Sequence, residues 1–211
     1  MKKLFSIVLA ASLLLGTQAF AQMSVNAGYL NSTLKSGSAV DNANGAYAGV
    51  SFNIPIAGGF GIAPGVYYSM IGSKSSSAAS LFGVTFSGSS TFMEHAINVP
   101  VYLNYGYNLA RDTKIFVFGG PTVQYGLASK VTNNDSVTTS GAGGGREWTH
   151  NNYDNENFNR MNVYLGGGMG FQMAALQITV GYDYGMMNQY KGDNAADCHR
   201  SNLKIGVGFC F

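Results

Sequence analysis

The chain has few charged residues and, beyond its first 21 residues, no long apolar run. Asp, Glu, Lys and Arg make up only 10% of its 211 residues, whereas an average soluble domain has about a quarter. No later run reaches the roughly 18 apolar residues that a membrane-spanning helix needs. A soluble monomer with so few charges and with 13 Tyr and 13 Phe residues would associate readily. The two shortages together favour a protein that meets lipid through β-strands.

An excess of basic charge is also missing. Residues 1–21 contain two of the 12 Lys and Arg residues, so ten basic residues face ten acidic residues in the rest of the chain. A protein that binds nucleic acid needs basic residues to neutralise phosphates. The formal net charge of zero therefore argues against nucleic acid as a partner.

The first 21 residues form a segment of their own. Lys2 and Lys3 precede an apolar run over residues 4–16, and Ala19-Phe20-Ala21 follows. A basic start, a short apolar run and a small-x-small site are typical of a secretory signal peptide. We therefore predict a signal peptide over residues 1–21, cut after Ala21, and one barrel domain over residues 22–211. The alternative is a buried N-terminal helix of the fold.

Cysteine is scarce, and the two cysteines are far apart along the chain. Cys198 and Cys210 fall near opposite ends of one predicted strand. Twelve residues of extended chain span roughly 40 Å, far beyond the reach of a disulfide. The sequence therefore predicts no bridge between them.

The last nine residues show the pattern that organises the chain. Their odd positions are large and apolar, and their even positions are small or polar, which is the period of a half-buried strand. Seven earlier runs alternate in the same way. We predict eight strands, at about residues 23–34, 46–54, 60–70, 91–107, 114–128, 158–174, 176–187 and 203–211.

The predicted connections alternate between long and short. Polar segments over residues 35–44, 73–90, 129–157 and 188–199 separate strands one from two, three from four, five from six and seven from eight. We expect these segments to be loops, although residues 81–86 could extend a hairpin. Short turns on one side and long loops on the other are typical of outer-membrane barrels. The predicted fold is all-β: an eight-stranded antiparallel up-and-down transmembrane β-barrel with short periplasmic turns and long extracellular loops. A soluble ligand-binding barrel is the main alternative.

Polar residues in the small-or-polar register are candidates for the barrel lumen. These are Glu94, Asn98, Asp183 and Lys204, together with Asn53, Gln124 and Gln172. Asp183 and Lys204 lie on adjacent predicted strands, where they could pair. Because eight strands enclose little more than side-chain space, structural filling is favoured over a narrow conduit or binding cavity. Inward glycines make room for large neighbours, and outward tyrosines are expected in interfacial girdles.

No constellation of residues predicts catalysis. His95 adjoins Glu94, but neighbouring residues of a strand point to opposite faces. His150 and His199 fall in predicted external loops. Cys198 and His199, with Asp193 and Asp197 nearby, are weak evidence for a tetrahedral zinc site. We predict no enzyme, no metal site and no cofactor.

Several segments carry a resemblance to a known family. Ala96-Ile97-Asn98-Val99-Pro100-Val101-Tyr102-Leu103-Asn104-Tyr105, Gly119-Gly120-Pro121, Gly181-Tyr182-Asp183-Tyr184-Gly185 and the terminal Phe211 are similar to strands of small outer-membrane β-barrels of the PorT/OmpX-like type. That family often has Glu and Lys where Asn98 and Asn104 stand here. The resemblance implies an integral outer-membrane protein but no single activity.

The resemblance also implies partners. Barrels of this type are inserted by the barrel-assembly machinery, which recognises a C-terminal strand ending in an aromatic residue, so Phe209 and Phe211 are the expected assembly signal. Periplasmic chaperones, outer-membrane lipid and lipopolysaccharide are the other expected partners, and any surface partner is unknown. The first functional hypothesis is a structural or surface-interaction role through the loops at residues 73–90 and 129–157. The alternatives are a narrow pore or small-ligand transporter and, less favoured, a lipid-modifying enzyme.

Overall fold

The computed structural model describes residues 22–36, 39–82, 84–139, 142–155, 158–189 and 198–211. The predicted signal peptide lies outside the described residues. The described chain is built from β1 (Gln22–Ser36), β2 (Ala39–Ala57), β3 (Phe60–Leu81), β4 (Val84–Ala110), β5 (Thr113–Thr139), β6 (Ala142–Asn151), β7 (Met161–Met173), β8 (Leu176–Gly185) and β9 (Cys198–Cys210), with one 3-10 helix at Asn152–Asp154. Among the described residues there is no helix of the length and apolar character that crossing a membrane requires.

Eight of these strands close into a ring. Each pairs antiparallel with its neighbours in the order β1-β2-β3-β4-β5-β7-β8-β9, and β9 returns to β1. The first strand of the ring thus pairs with the last, for example with Val25 opposite Phe209. The predicted eight-stranded antiparallel barrel is confirmed. In the described chain β6 stands outside the ring and pairs only with β5.

The two ends of the barrel differ in the length of their connections. Gly58–Gly59, Arg111–Asp112 and Ala174–Ala175 are two-residue turns at one end, here the turn end. Gly58 and Gly59 have φ of +60° and +88°, which glycine adopts without steric cost. Phe211 lies at the same end, where its N–H donates to the carbonyl of Met23 at 2.8 Å. At the opposite end, here the hairpin end, the ring strands are joined by longer segments because these include strand that extends beyond the ring, although only two residues separate β1 from β2 and β3 from β4.

Two predicted loops are wrong, because they are mostly strand. Most of residues 73–90 belongs to a β3–β4 hairpin that pairs from Ser73 opposite Phe92 to Leu81 opposite Val84. Within residues 129–157, β5 runs on to Thr139 and pairs with β6 before the short helix. Both hairpins extend beyond the ring and have water on two faces, so the regular alternation that marks a half-buried strand is missing there. Strand ends also fill much of residues 35–44, and β9 begins at Cys198, five residues earlier than predicted.

The outer surface of the ring is apolar and banded by aromatic rings. All seven outward tyrosines predicted for the girdles are exposed: Tyr29, Tyr68, Tyr105, Tyr107, Tyr125, Tyr182 and Tyr184. The outward aromatic residues form two belts, one near each end of the ring. On β4 the belts are ten residues apart, with His95 in the upper belt at the hairpin end and Tyr105 in the lower belt at the turn end. Ten residues of strand, tilted at about 40°, span roughly 25 Å of height, which matches the apolar band of an outer-membrane barrel.

Inward glycines give the interior its room, as predicted. A Cβ on Gly168 would lie 2.2 Å from the carbonyl oxygen of Val180, and one on Gly170 would lie 2.2 Å from the ring of Phe116. Any larger residue there would collide with backbone or ring atoms. Cys198 and Cys210 are the first and last residues of β9 and are not joined to each other, as predicted.

Candidate functional site

An ion pair crosses the barrel near the hairpin end. Arg200 on β9 donates to Glu94 on β4 over 2.5 Å, and their side chains are 4% and 1% exposed. These two strands are four places apart in either direction around the ring, so the pair spans the lumen from wall to opposite wall. We call it the strut.

Large side chains pack around the strut and fill the hairpin-end half of the lumen. We call this filling the plug; it comprises the strut, Ser129, Tyr153, Phe158, Asn162, Tyr164, Gln189 and Cys198, all buried, with Leu30, Ala43 and Ile71 as an apolar cluster on the β1–β3 side. Tyr153 comes from the short helix outside the ring and lies over Gly126, where a Cβ would meet its hydroxyl at 1.8 Å. Burial, and secondarily the nearby Glu94 carboxylate, raise the pKa of the Tyr153 phenol, so it stays a neutral donor.

Some polar atoms of the plug have no protein partner among the described residues. These atoms are Oε2 of Glu94, Nε of Arg200, Oε1 of Gln189 and both amide atoms of Asn162. A buried polar atom left without a hydrogen bond costs about 1–3 kcal/mol. The plug is therefore close-packed but polar, and its spare donors and acceptors suit buried water.

A second ion pair lies deeper toward the turn end. Lys204 on β9 pairs with Asp183 on β8, as the sequence suggested. The Lys204 Nζ also donates to the hydroxyl of Tyr102 on the far wall at 3.0 Å. That hydroxyl lies 3.1 Å from Thr122 Oγ1 and donates to Asp183 Oδ1 at 3.5 Å. Both charges are thus compensated, although the Lys204 side chain is 22% exposed.

The fourth predicted lumen residue, Asn98, belongs to a chain of hydrogen bonds across four strands. Tyr164 donates to Gln124 at 2.9 Å, and Gln124 donates to Asn98 at 3.1 Å. Asn98 then donates to Ser69 on β3 at 2.8 Å. This chain forms the boundary between the plug and the space below it.

Below that boundary the lumen is a cavity. Aromatic side chains Tyr47, Tyr67, Tyr102, Phe116 and Phe118 line one side of it, and the polar side chains Asn26, Asn53, Gln172, Gln177 and Thr179 complete the wall. Its volume is about 140 Å³, which is large enough for several water molecules. A depression at the turn end shares Asn53, Asn104 and Lys114 with it, so the cavity opens there. We call this space the cup. Side chains thus fill only the hairpin-end half of the lumen, and the prediction of a filled lumen is wrong for the turn-end half.

Arg200 is the lumen residue that sequence reasoning missed. It falls between the predicted loop at residues 188–199 and the predicted strand at residues 203–211, so neither prediction includes it. The even-numbered inward positions of that strand, extended backwards from Lys204 through Asn202, reach Arg200. An unpaired Glu94 on an inward register was the second signal, since a buried carboxylate requires a cation.

The histidines lie outside the lumen. His95 contacts Tyr68 on the outer surface, with its Nδ1 2.5 Å from the hydroxyl. His199 stacks on Tyr184 at 5.7 Å between ring centroids. His199 and His150 lie in β9 and β6, so their prediction as loop residues is wrong. Asp193 and Asp197 lie outside the described residues, and the described part of the chain shows no group of His, Cys, Asp and Glu that could hold a metal ion.

Four strands continue past the barrel at the hairpin end. Residues 73–81 of β3, 84–91 of β4 and 130–139 of β5 pair with one another and with β6. We call this four-stranded extension the outer sheet. Its order is β3-β4-β5-β6, and in the described chain residues 73–81 and β6 each have one unpaired edge.

The two faces of the outer sheet differ in chemistry. One face continues the outer surface of the barrel and carries hydroxyl side chains, with Ser87 2.7 Å from Ser136 and Thr132 2.9 Å from Thr149. The other face lies on the side of the barrel axis and exposes apolar groups, including Phe86 and Trp148 at 50% and 41%. The Arg146 guanidinium lies over the Trp148 ring at 5.9 Å.

Solved structures of outer-membrane proteins show similarity to this chain. Ail, the attachment invasion locus protein of Yersinia pestis, is 15% identical over 91% of this chain and 99% of its own, with a TM-score of 0.38. Neisserial surface protein A is 16% identical over 90% and 97%, with a TM-score of 0.46. The outer membrane enzyme PagL is 10% identical over 89% and 98%, with a TM-score of 0.35. No curated protein sequence matches the chain.

A family model decides the family. The model of the outer membrane protein beta-barrel domain matches residues 16–191, which is most of the chain and includes every strand of the ring except β9. The chain therefore belongs to the outer membrane protein beta-barrel domain family and is an integral protein of the outer membrane.

Proposed function

We propose that this protein acts at the cell surface, where the barrel anchors the outer sheet and the outer sheet binds a partner. In outer-membrane barrels the short turns face the periplasm and the long connections face outward, which puts the outer sheet outside the cell. The observation that carries the proposal is the combination of a plugged lumen with a paired, projecting sheet. A barrel with a buried strut across its outer half is better suited to holding a surface element than to passing solutes.

The edge formed by β6 is the proposed contact site. An unpaired strand edge presents a row of free backbone donors and acceptors and can accept a further strand. Trp148 stands on this edge, and large exposed aromatic residues are the side chains that contribute most to protein interfaces. Arg146 beside it adds a cation. The edge at residues 73–81 is rich in Ser and Ala and offers no such anchor.

The proposal is tested on cells that display the protein. Replacing residues 131–149 by a short Gly-Ser turn removes the tips of β5 and β6 but keeps the ring pairs of β5 with β7. We expect this variant to assemble, as measured by heat-modifiable migration on SDS gels, and to lose binding to cell and matrix surfaces. Trp148→Ala should weaken binding about tenfold or more, whereas Thr149→Ala on the opposite face should not. Unchanged binding after removal of the tips would contradict a surface role for the outer sheet.

A pore is the second candidate, because a cavity exists in the turn-end half. The plug opposes it, and single-channel conductance in a planar bilayer separates the two functions. We expect no stable open level from the wild type. Stable, ion-selective steps that disappear in Asp183→Asn would overturn the plugged barrel.

The proposal assigns no catalysis to the chain. His95 contacts Tyr68 on the lipid side, and Glu94 contacts Arg200 in the lumen, so the adjacent pair serves two separate surfaces. If the purified protein does hydrolyse lipid, and His95→Ala removes that activity, this assignment is wrong.

The subfamily, the export route and the partners of this protein belong to the same proposal. The strand segments shared with the PorT/OmpX-like type support that subfamily. Export by a signal peptide over residues 1–21 and delivery by periplasmic chaperones to the barrel-assembly machinery are the proposed route to the outer membrane. Lipopolysaccharide is the proposed neighbour of the hydroxyl face, since that face continues the lipid-contacting surface beyond the upper aromatic belt.

A further inference from the structure

The cup has features that a plain water-filled space does not require. It is closed at the hairpin end by the plug and open at the turn end. A cavity with one open end cannot conduct, but it can hold a solute. Its volume also exceeds what small gaps in a packed core provide.

The walls of the cup differ in chemistry. Tyr102 on β4 and Phe118 on β5 contact each other as tilted rings 5.1 Å apart between centroids, and Phe116 continues the row 6.2 Å from Phe118. Amide side chains occupy the facing arc, with Asn26 on β1, four strands from β5, and Gln177 on β8, which donates to Asn26. An aromatic wall opposite an amide wall suits a saturated polar ring, because its C–H face packs on the aromatic rings while its hydroxyl groups hydrogen-bond to amides.

One charge in the cup is uncompensated. Asp183 and Lys204 neutralise each other, and Lys114 forms no ion pair within the described part of the chain. The Lys114 side chain lies over Gly106, where a Cβ would meet its Cε at 2.2 Å, and its Nζ lies 5.7 Å from the centre of the Phe116 ring. The cation is therefore held at the mouth of the cup, beside the aromatic wall.

We propose that the cup is a periplasm-facing binding site for a small acidic sugar. The anionic group of the ligand pairs with Lys114 at the mouth, and its ring lies between the aromatic and amide walls. The outer sheet takes no part in this site, so the proposal stands apart from the surface function. The site holds its ligand at the periplasmic side without passing it through the barrel.

The test uses the full barrel in lipid nanodiscs with D-glucuronate as the probe. Calorimetric titration of the wild type should show binding to glucuronate at least about tenfold tighter than to glucose or to acetate. Equal affinity for acetate and glucuronate would show that the site recognises only a carboxylate and would contradict a sugar site. Absence of glucuronate binding at millimolar concentrations would overturn the proposal outright. Neither result depends on a variant that folds.

Variants then place the ligand. Lys114→Met should weaken glucuronate binding about tenfold or more, whereas Lys114→Arg should keep most of it. Lys130→Met is the matched control, because Lys130 lies at the hairpin end and opposite Met93 on the outer surface. Equal affinity in Lys114→Met and Lys130→Met would show that the anion does not bind in the cup. Tyr102→Leu should weaken glucuronate and glucose alike, since both pack on the aromatic wall.

Discussion

The two halves of the lumen are built by the same strands and yet differ in kind. In the hairpin-end half an ion pair is sealed, with side chains 4% and 1% exposed. In the turn-end half the Lys204 side chain of the other ion pair remains 22% exposed and borders a cavity. The difference lies in filling: Tyr153 enters the upper half from outside the ring, whereas in the lower half the rings of Phe118 and Tyr47 lie close against the inward glycines Gly168 and Gly206 and leave the cup between them and the facing wall. A small barrel is thus not filled by its strand number alone.

The strut offers the largest expected effect. Arg200→Met leaves Glu94 as a buried charge without a partner, which we expect to lower the free energy of unfolding by about 3–5 kcal/mol. Denaturant titration, followed by heat-modifiable migration, measures the loss. The double variant Glu94→Leu, Arg200→Met should recover most of it, because an apolar pair of similar size avoids the desolvation of both charges. A double variant as unstable as the single one would show that the strut itself, and not the unpaired charge, stabilises the plug.

The ion pair bordering the cup provides the matching experiment. Lys204→Met also strands a carboxylate, but water in the cup can hydrate Asp183. We therefore expect a smaller loss of about 1–3 kcal/mol in the same titration. Equal losses for Arg200→Met and Lys204→Met would remove the distinction between a dry and a wet half.

The open lower half also depends on glycine. Gly168→Ala brings a Cβ within 2.2 Å of the Val180 carbonyl oxygen and 2.7 Å of Gly181 Cα. Backbone atoms cannot move aside cheaply, so we expect a loss of about 1–3 kcal/mol in the free energy of unfolding. Gly119→Ala is the control, since its nearest atom would lie at 3.4 Å. Equal stability of the two variants would contradict close packing at Gly168.

The smallest effect on the finished barrel is expected at its last residue. Phe211 is 67% exposed and packs on Phe209 at 5.0 Å. Phe211→Ala should change the stability of folded protein by only about 0.5 kcal/mol while lowering the amount assembled in the membrane, which quantitative gels of membrane fractions measure. Full assembly of this variant would show that the terminal aromatic is incidental to insertion.

The sequence predicted the part of the fold that faces lipid. Where one face meets lipid and the other the lumen, as from Leu203 to Phe209, alternation determines both the strand and its register. The hairpins above the membrane were misread because water lies on both of their faces, so no period of two marks them. Pairing partners four strands apart, such as Glu94 and Arg200, depend on barrel closure and stagger, which no local pattern contains.

The candidate sites divide in the same way. Glu94, Asn98, Asp183 and Lys204 were recognisable as polar residues in an inward register, and all four face the lumen. The plug was not recognisable, because Tyr153 belongs to a segment with no periodicity and reaches the lumen only through the folding of the whole connection. The cup could not be predicted either, because it exists only where no side chain comparable to Tyr153 enters the described lumen below the plug.

The outer sheet extends far beyond the aromatic belt of the barrel. From the belt position of Tyr125 to Val137 near its tip, β5 runs twelve residues, or roughly 40 Å of strand. A ribbon paired on both sides resists collapse in a way that a loop of equal length does not. A partner bound at the tip of β6, as proposed, would therefore be held away from the lipid at a distance set by the paired strands.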